Sequence, residues 1–171
     1  MMNNPTEPNN AMNVEDRLKA AQSSLTLVLG FFPRIETKLS VVLSLNLAMV
    51  AFLTKSATTV EQINNVGWVS LIIYFMFLAY GLVQVYRGSF PSLDGGTNSL
   101  LYFREIASQV ESRFMEHFSN LSQTDLSNDY LGQTWRNSKI LTIKFECLKK
   151  AYQALLLSIF PWAASLVIFL I

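Results

Sequence analysis

Cysteine and histidine are nearly missing from this chain of 171 residues, which holds one of each, Cys147 and His117. One cysteine cannot close an internal disulfide, and one histidine leaves neither a Cys/His zinc cluster nor an HExxH pair. Charge is scarce as well, at 15% of residues where about a quarter is typical. The 13 basic and 12 acidic residues nearly cancel, at a net charge of +1, which argues against bulk nucleic-acid binding. The loops of familiar enzymes are absent: there is no GxSxG, GxGxxG or GxxxxGK[ST], and the run Asp94, Gly95, Gly96 is too short to cradle a phosphate. Glu105, Glu111 and Glu116 fall at helix-surface positions, where solvated charge is the ordinary role. The chain reads as a protein with no catalytic site, no metal and no cofactor.

Apolar residues, in contrast, are abundant, at 51% with a mean hydropathy of +0.30. They collect in three blocks. Residues 39–54 contain no charge and lie between Lys38 and Lys55. At ~1.5 Å per residue they reach roughly 24 Å, short of a ~30 Å hydrocarbon core unless flanking residues extend them. The upstream run SSLTLVLGFF is the expected support. Residues 66–86 are uncharged throughout, with Trp68 near one end and Tyr80 and Tyr86 near the other, where rings favour the membrane interface. Residues 151–171 are also uncharged, with Tyr152 at the start and Pro161 and Trp162 in the middle. A spanning helix tolerates such a proline when neighbours satisfy the freed carbonyl. The leader before the first block has no Lys or Arg and the block begins too late for a cleaved signal, so residues 1–13 read as a loose tail.

Basic residues set the orientation. The N-terminal arm carries Arg17, Lys19, Arg34 and Lys38, the 55–65 hairpin carries Lys55, and all the others lie in 87–150. The positive-inside rule therefore places the N-terminus and residues 87–150 in the cytoplasm, with the hairpin and the C-terminus outside. A bacterial inner membrane suits this arrangement.

Residues 87–150 form the expected recognition region. After a loop rich in Gly, Ser and Pro, Asn98 or Ser99 is a plausible N-cap for a helix starting near Leu100. Phe103, Ile106, Val110, Phe114, Phe118 and Leu121 recur every three or four residues and predict one apolar stripe. A turn region around 119–129 should precede a second amphipathic helix from about Leu126. With no Gly or Pro between Gln133 and Phe160, that helix is expected to continue into the third span. The arm over 14–38 is helix-prone and predicts an amphipathic helix on the membrane surface or against the cytosolic helices, with a fourth membrane-embedded segment as the alternative. The fold class is thus an all-α integral membrane protein: a flexible tail (1–13), an amphipathic helix (14–38), a two-span hairpin (39–86), a cytosolic helical region (87–150) and a last span (151–171).

Several separated elements resemble one known family. Tyr102, Phe103, Glu105 and Ile106 match a Tyr-Phe-x-[Asp/Glu]-Ile element, and Asp129, Gln133, Asn137, Ser138, Ile140 and Lys144 match an Asp-x3-Gln-x3-Asn-Ser-x-Ile-x3-Lys element. Glu36 and Lys38 occupy the acidic-x-Lys start of the first span. Together, from about Arg17 onward, these are similar to the transmembrane effectors of Pycsar antiphage defence. Arg104 and Glu105 stand where that family usually has Gly-Asp or a similar pair. The resemblance implies a cognate cyclase that makes cyclic UMP or cyclic CMP during infection, and an effector that answers by impairing the inner membrane so that the infected cell stops growing. It also implies a homo-oligomer in the bilayer, because three spans hardly enclose a pore.

If the cytosolic helices sense such a ligand directly, Arg104, Arg136, Lys139 and Lys144 are candidates for the cyclic phosphate, Arg especially through its planar fork. Their ordinary role would be a solvated cationic face. Gln133 and Asn137 offer both donor and acceptor to a pyrimidine edge or to a neighbouring helix. Tyr102 is the expected stacking ring, with Phe103 assigned to the core, and Glu105 completes the ligand set. Asn46, alone inside an apolar span, wants a polar partner there: another protomer, a gated path, or its own helix. His117 and Cys147 read as structural. A membrane-anchored scaffold and a constitutive holin-like permeabiliser are the competing readings.

Overall fold

The computed structural model describes residues 12–56, 64–90, 96 and 98–170. Most of the expected tail, the turn of the 55–65 hairpin and most of the loop after the second span lie outside the described residues. Among those described, every regular element is a helix: α1 (Val14–Leu29), α2 (Phe32–Ser56), α3 (Asn65–Ser89), α4 (Phe103–Ser108), α5 (Glu111–Ser119) and α6 (Gln123–Leu170). Three helical stretches are long and apolar enough to cross a membrane, ending in α2, α3 and α6. The chain divides into two compact units, one drawn from Met1–Leu29 and Asp94–Asn137, the other from Gly30–Leu93 and Ser138–Ile171.

In the first unit, the Asn13 side chain caps α1 by accepting from the Asp16 amide at 2.7 Å. Ala21 and Leu25, one turn apart, are the buried face of α1. Arg17 Nη2 donates to Asn128 Oδ1 of α6 at 2.9 Å. The helix expected over 14–38 is instead two. Pro33 cannot donate a backbone hydrogen bond and disfavours helical geometry in the residue before it, so it is accepted in the first turn of a new helix that follows Gly30 and Phe31. Residues 32–38 accordingly extend the first span to 25 residues, about 37 Å at ~1.5 Å each.

The single helix expected from Leu100 is also two short ones. Ser108 Oγ and Gln109 Nε2 both donate to the Glu105 carbonyl, at 2.8 and 3.3 Å, where they compete with the backbone ladder. The Gln109 amide turns to the Ile106 carbonyl at 3.2 Å. The break destroys the continuous stripe: Phe103, Val110 and Phe118 are exposed, so Phe103 is not the core residue that its spacing implied. α6 begins at a reciprocal cap, in which Ser122 Oγ accepts from the Asp125 amide at 3.1 Å and donates to Asp125 Oδ2 at 2.6 Å. It then runs unbroken to Leu170, through Pro161.

The second unit packs α2, α3 and the later part of α6. One cluster joins Ile35, Leu39, Val42, Val85, Leu148, Ala151 and Leu155. A second centres on Leu53, Tyr74 and Leu78, with Trp162 and Leu166 against it. α3 buries Gly67, Tyr74, Gly81 and Gly88 at intervals of seven, and small residues at such positions let helices approach closely. At Gly88 a Cβ would lie 3.0 Å from a Leu39 methyl and 3.2 Å from Cys147 Cβ. Gly88→Val is therefore expected to destabilise the unit by about 1–3 kcal/mol through overpacking, read as earlier thermal exposure of the Cys147 thiol; an unchanged transition would mean that the helices can separate at no cost.

Polarity in this unit runs opposite to that of a water-soluble core. Asn46, Ser158 and Ser165 are at most 2% exposed, whereas Leu47, Met76 and Phe160 are at least 59% exposed. Several of the buried polar groups are satisfied by backbone carbonyls, whereas the buried Tyr74 hydroxyl meets no partner among the described residues. Ser70 and Ser165 hydroxyls both donate to the Pro161 carbonyl at 2.8 Å, and Trp162 Nε1 donates to the Met49 carbonyl at 2.9 Å. An apolar exterior around an interior that holds the polar groups is what a hydrocarbon solvent selects.

Candidate functional site

The two turns of α6 that carry Asp129 and Gln133 hold down the chain just before α4. Asp129 Oδ2 accepts from the Leu100 amide at 2.8 Å. Gln133, 4% exposed, donates through Nε2 to Ser99 Oγ at 2.8 Å. Ser99 Oγ in turn accepts from the Leu101 and Tyr102 amides at 3.2 and 3.1 Å. Asn98, in the left-handed region at φ 60°, donates its amide to Glu105 Oε2 at 3.1 Å. Gly96 is left-handed too, at φ 77°, and a Cβ there would fall on the Arg136 guanidinium. The spacing of four in the second motif thus stacks residues on one face of α6, and that face anchors a segment some 30 residues away in sequence.

The residues expected at a ligand separate on this geometry. Tyr102, Arg104, Glu105, Gln133, Arg136 and Asn137 belong to the first unit, Lys139 and Lys144 to the second. Gln133 is engaged in the knot just described, and Asn137 Nδ2 donates to the Gln133 carbonyl at 2.8 Å. Tyr102 meets Phe103 edge-on, with ring centroids 5.1 Å apart. Arg104 and Lys139 are exposed, and Arg136 is half-buried. Lys144 is 2% exposed, with Nζ 3.1 Å from Glu36 Oε1 and 5.6 Å from the centre of the Phe32 ring. Two motif elements more than a hundred residues apart therefore meet as an ion pair. Asn46 donates from Nδ2 to the Val42 carbonyl at 2.9 Å, the bond within its own helix that was one of its three expected partners.

A cavity of about 590 Å³ lies wholly within the first unit, in the range of small-molecule sites. Arg113, His117, Gln109 and Asp125 line it, along with Glu105, and Leu100 and Val110 give it apolar wall. Of the residues expected at a ligand, Glu105 alone lines this cavity. His117 reads as structural from the sequence, and Arg113 reads as a helix-surface charge, because each stands singly there; both line the cavity. The usable signal was their spacing of four, which puts both on one face of α5.

Three long helices with an apolar exterior and polar groups turned inward, joined by the chain to a second helical unit that holds a cavity, define a helical integral-membrane protein. The profile of the Pycsar effector protein domain matches residues 20–171, and the chain belongs to that family. A relative from Gulbenkiania mobilis, the Pycsar effector protein GmPycTM, is 28% identical over 105 residues, covering 57% of this chain and 54% of that protein. The matched stretch spans about half the length of that curated relative. No solved structure matches.

Proposed function

We propose that this chain is the membrane effector of a bacterial antiphage system, responding to cyclic UMP or cyclic CMP from a cognate cyclase by impairing the inner membrane, with abortive infection as the outcome. The observation that carries this reading is the family match across residues 20–171, which takes in both units. It performs no chemistry on the nucleotide; the free energy of binding does the work. A ligand shifts a closed assembly toward a leaky one only by binding the leaky form more tightly. Because α6 contributes residues to both units, a change among its first turns is covalently linked to the last span. Orientation follows the basic residues, with the N-terminus and 87–150 cytoplasmic and the C-terminus outside. The active form is a homo-oligomer in the bilayer.

The test is dye release from liposomes carrying the purified chain, comparing cyclic UMP and cyclic CMP with cyclic AMP, cyclic GMP and no ligand. Release with one pyrimidine nucleotide alone is the expected result. Release without ligand would favour the holin-like permeabiliser, and silence throughout would favour the scaffold.

A further inference from the structure

We propose that the cavity bounded by α4, α5 and the first turn of α6 is where the cyclic nucleotide binds, with Arg113 and His117 on the cyclic phosphate and Gln109 on the base. This placement rests on the functional reading above and adds the residues.

Arg113 and His117 lie one turn apart on α5 and both line the cavity. Neither side chain has a hydrogen-bond or ion-pair partner among the described residues. A guanidinium with its fork unused is suited to two oxygens of a phosphodiester, and the imidazole adds a further N–H donor. Gln109 supplies the second observation. Its Nε2 is held by one long bond of 3.3 Å to the Glu105 carbonyl, while its Oε1 is buried with no partner. A buried amide oxygen without a donor is costly. Rotation of that amide toward a bound ligand would give it one: uracil offers the N3–H and cytosine the 4-amino group.

The charges of the cavity narrow the ligand class further. Glu105 and Asp125 also line it, each with one oxygen already fixed, to the Asn98 amide at 3.1 Å and to Ser122 Oγ at 2.6 Å. Their remaining oxygens suit a ribose hydroxyl, and their two negative charges oppose a polyanion. The single guanidinium can pair one negative charge, to which the imidazole adds an N–H donor. A cyclic phosphodiester carries a single negative charge, whereas a nucleoside triphosphate carries several and would be repelled. Leu100 and Val110 leave an apolar wall for the face of the base.

The experiment is equilibrium binding of labelled cyclic UMP and cyclic CMP to the full chain in lipid nanodiscs. Arg113→Ala is expected to weaken binding at least tenfold and His117→Ala severalfold. Ser108→Trp, which adds bulk at a lining position and leaves Arg113 and His117 in place, should also abolish binding. Unchanged maleimide labelling of Cys147 and unchanged hydrogen exchange over 98–108 would show that the variants are folded. Wild-type affinity in Arg113→Ala and Ser108→Trp, with loss instead in Arg104→Ala, would overturn the placement and leave the functional reading standing. A wild-type chain that binds neither nucleotide would overturn the reading itself. UTP competing as well as the cyclic nucleotide would overturn the charge argument and with it the assignment of this cavity.

Discussion

Glu36→Gln should destabilise the membrane bundle by about 2–3 kcal/mol, whereas Lys144→Met should cost within ~1 kcal/mol. The asymmetry follows from burial. The Lys144 side chain is 3% exposed and that of Glu36 is 58% exposed. Replacing the carboxylate by an amide leaves the buried ammonium with no countercharge, only the amide oxygen and the Phe32 ring beside it. Removing the ammonium frees a carboxylate that water already reaches, and methionine refills the space. Full values for a buried pair, of roughly 3–5 kcal/mol, are reduced here because solvent screens the glutamate end. Cys147 is the lone cysteine and is buried, so a fluorogenic maleimide reports thermal unfolding in detergent directly. A shift of about 4–10 °C is expected for Glu36→Gln, with the double variant close to Lys144→Met. Equal losses from the two single variants would mean that the cost does not lie in an unpaired buried cation. In nanodiscs, Lys144→Met should retain nucleotide binding; loss of binding would return Lys144 to the ligand.

That pair shows what could and could not be read from residue order. Charge-free blocks announce the spans, since hydrocarbon tolerates little else, and the unbroken stretch of α6 from Gln133 to Phe160 follows from its lack of glycine and proline. The family was legible because its motif residues stand at fixed spacings in order. Which of those residues touch each other was not. Lys144 looks like a surface cation in a helical pattern until Glu36 is found beside it, more than a hundred residues away. Two helix breaks were missed for local reasons. At 30–33 glycine and proline mark the break, but the helical propensity on both sides of them masks it. At 109–110 neither is present, and the break comes from two side chains bonding one carbonyl. The cavity escaped for the same reason, because it exists only once α4 and α5 separate at Gln109.

Ser99→Ala should loosen the segment before α4 by about 2–4 kcal/mol, since it removes one acceptor from three donors at once. Ser99 is 2% exposed, and its hydroxyl oxygen meets the Leu101 amide, the Tyr102 amide and Gln133 Nε2 at 2.8–3.2 Å. Water has little room to replace it. Gln133→Leu should cost less at this segment, about 1 kcal/mol from the Ser99 bond, because the two backbone amides keep their acceptor. Asp129→Leu falls between, orphaning the Leu100 amide at a site where Leu100 itself is 9% exposed. The readout is amide hydrogen exchange across 98–108, where Ser99→Ala is expected to lower protection at least tenfold while exchange in α2 and α3 is unchanged. Because Leu100, Glu105 and Gln109 line the cavity, the same variant should weaken nucleotide binding although Ser99 does not line it. Gln133→Leu then separates two roles for the amide: a direct contact with the base would cost binding far more than it costs protection, whereas a fastening role makes the two losses rise together. Parallel losses across Ser99→Ala, Asp129→Leu and Gln133→Leu would assign the second motif to holding the sensor segment in place, with the ligand met by α4 and α5.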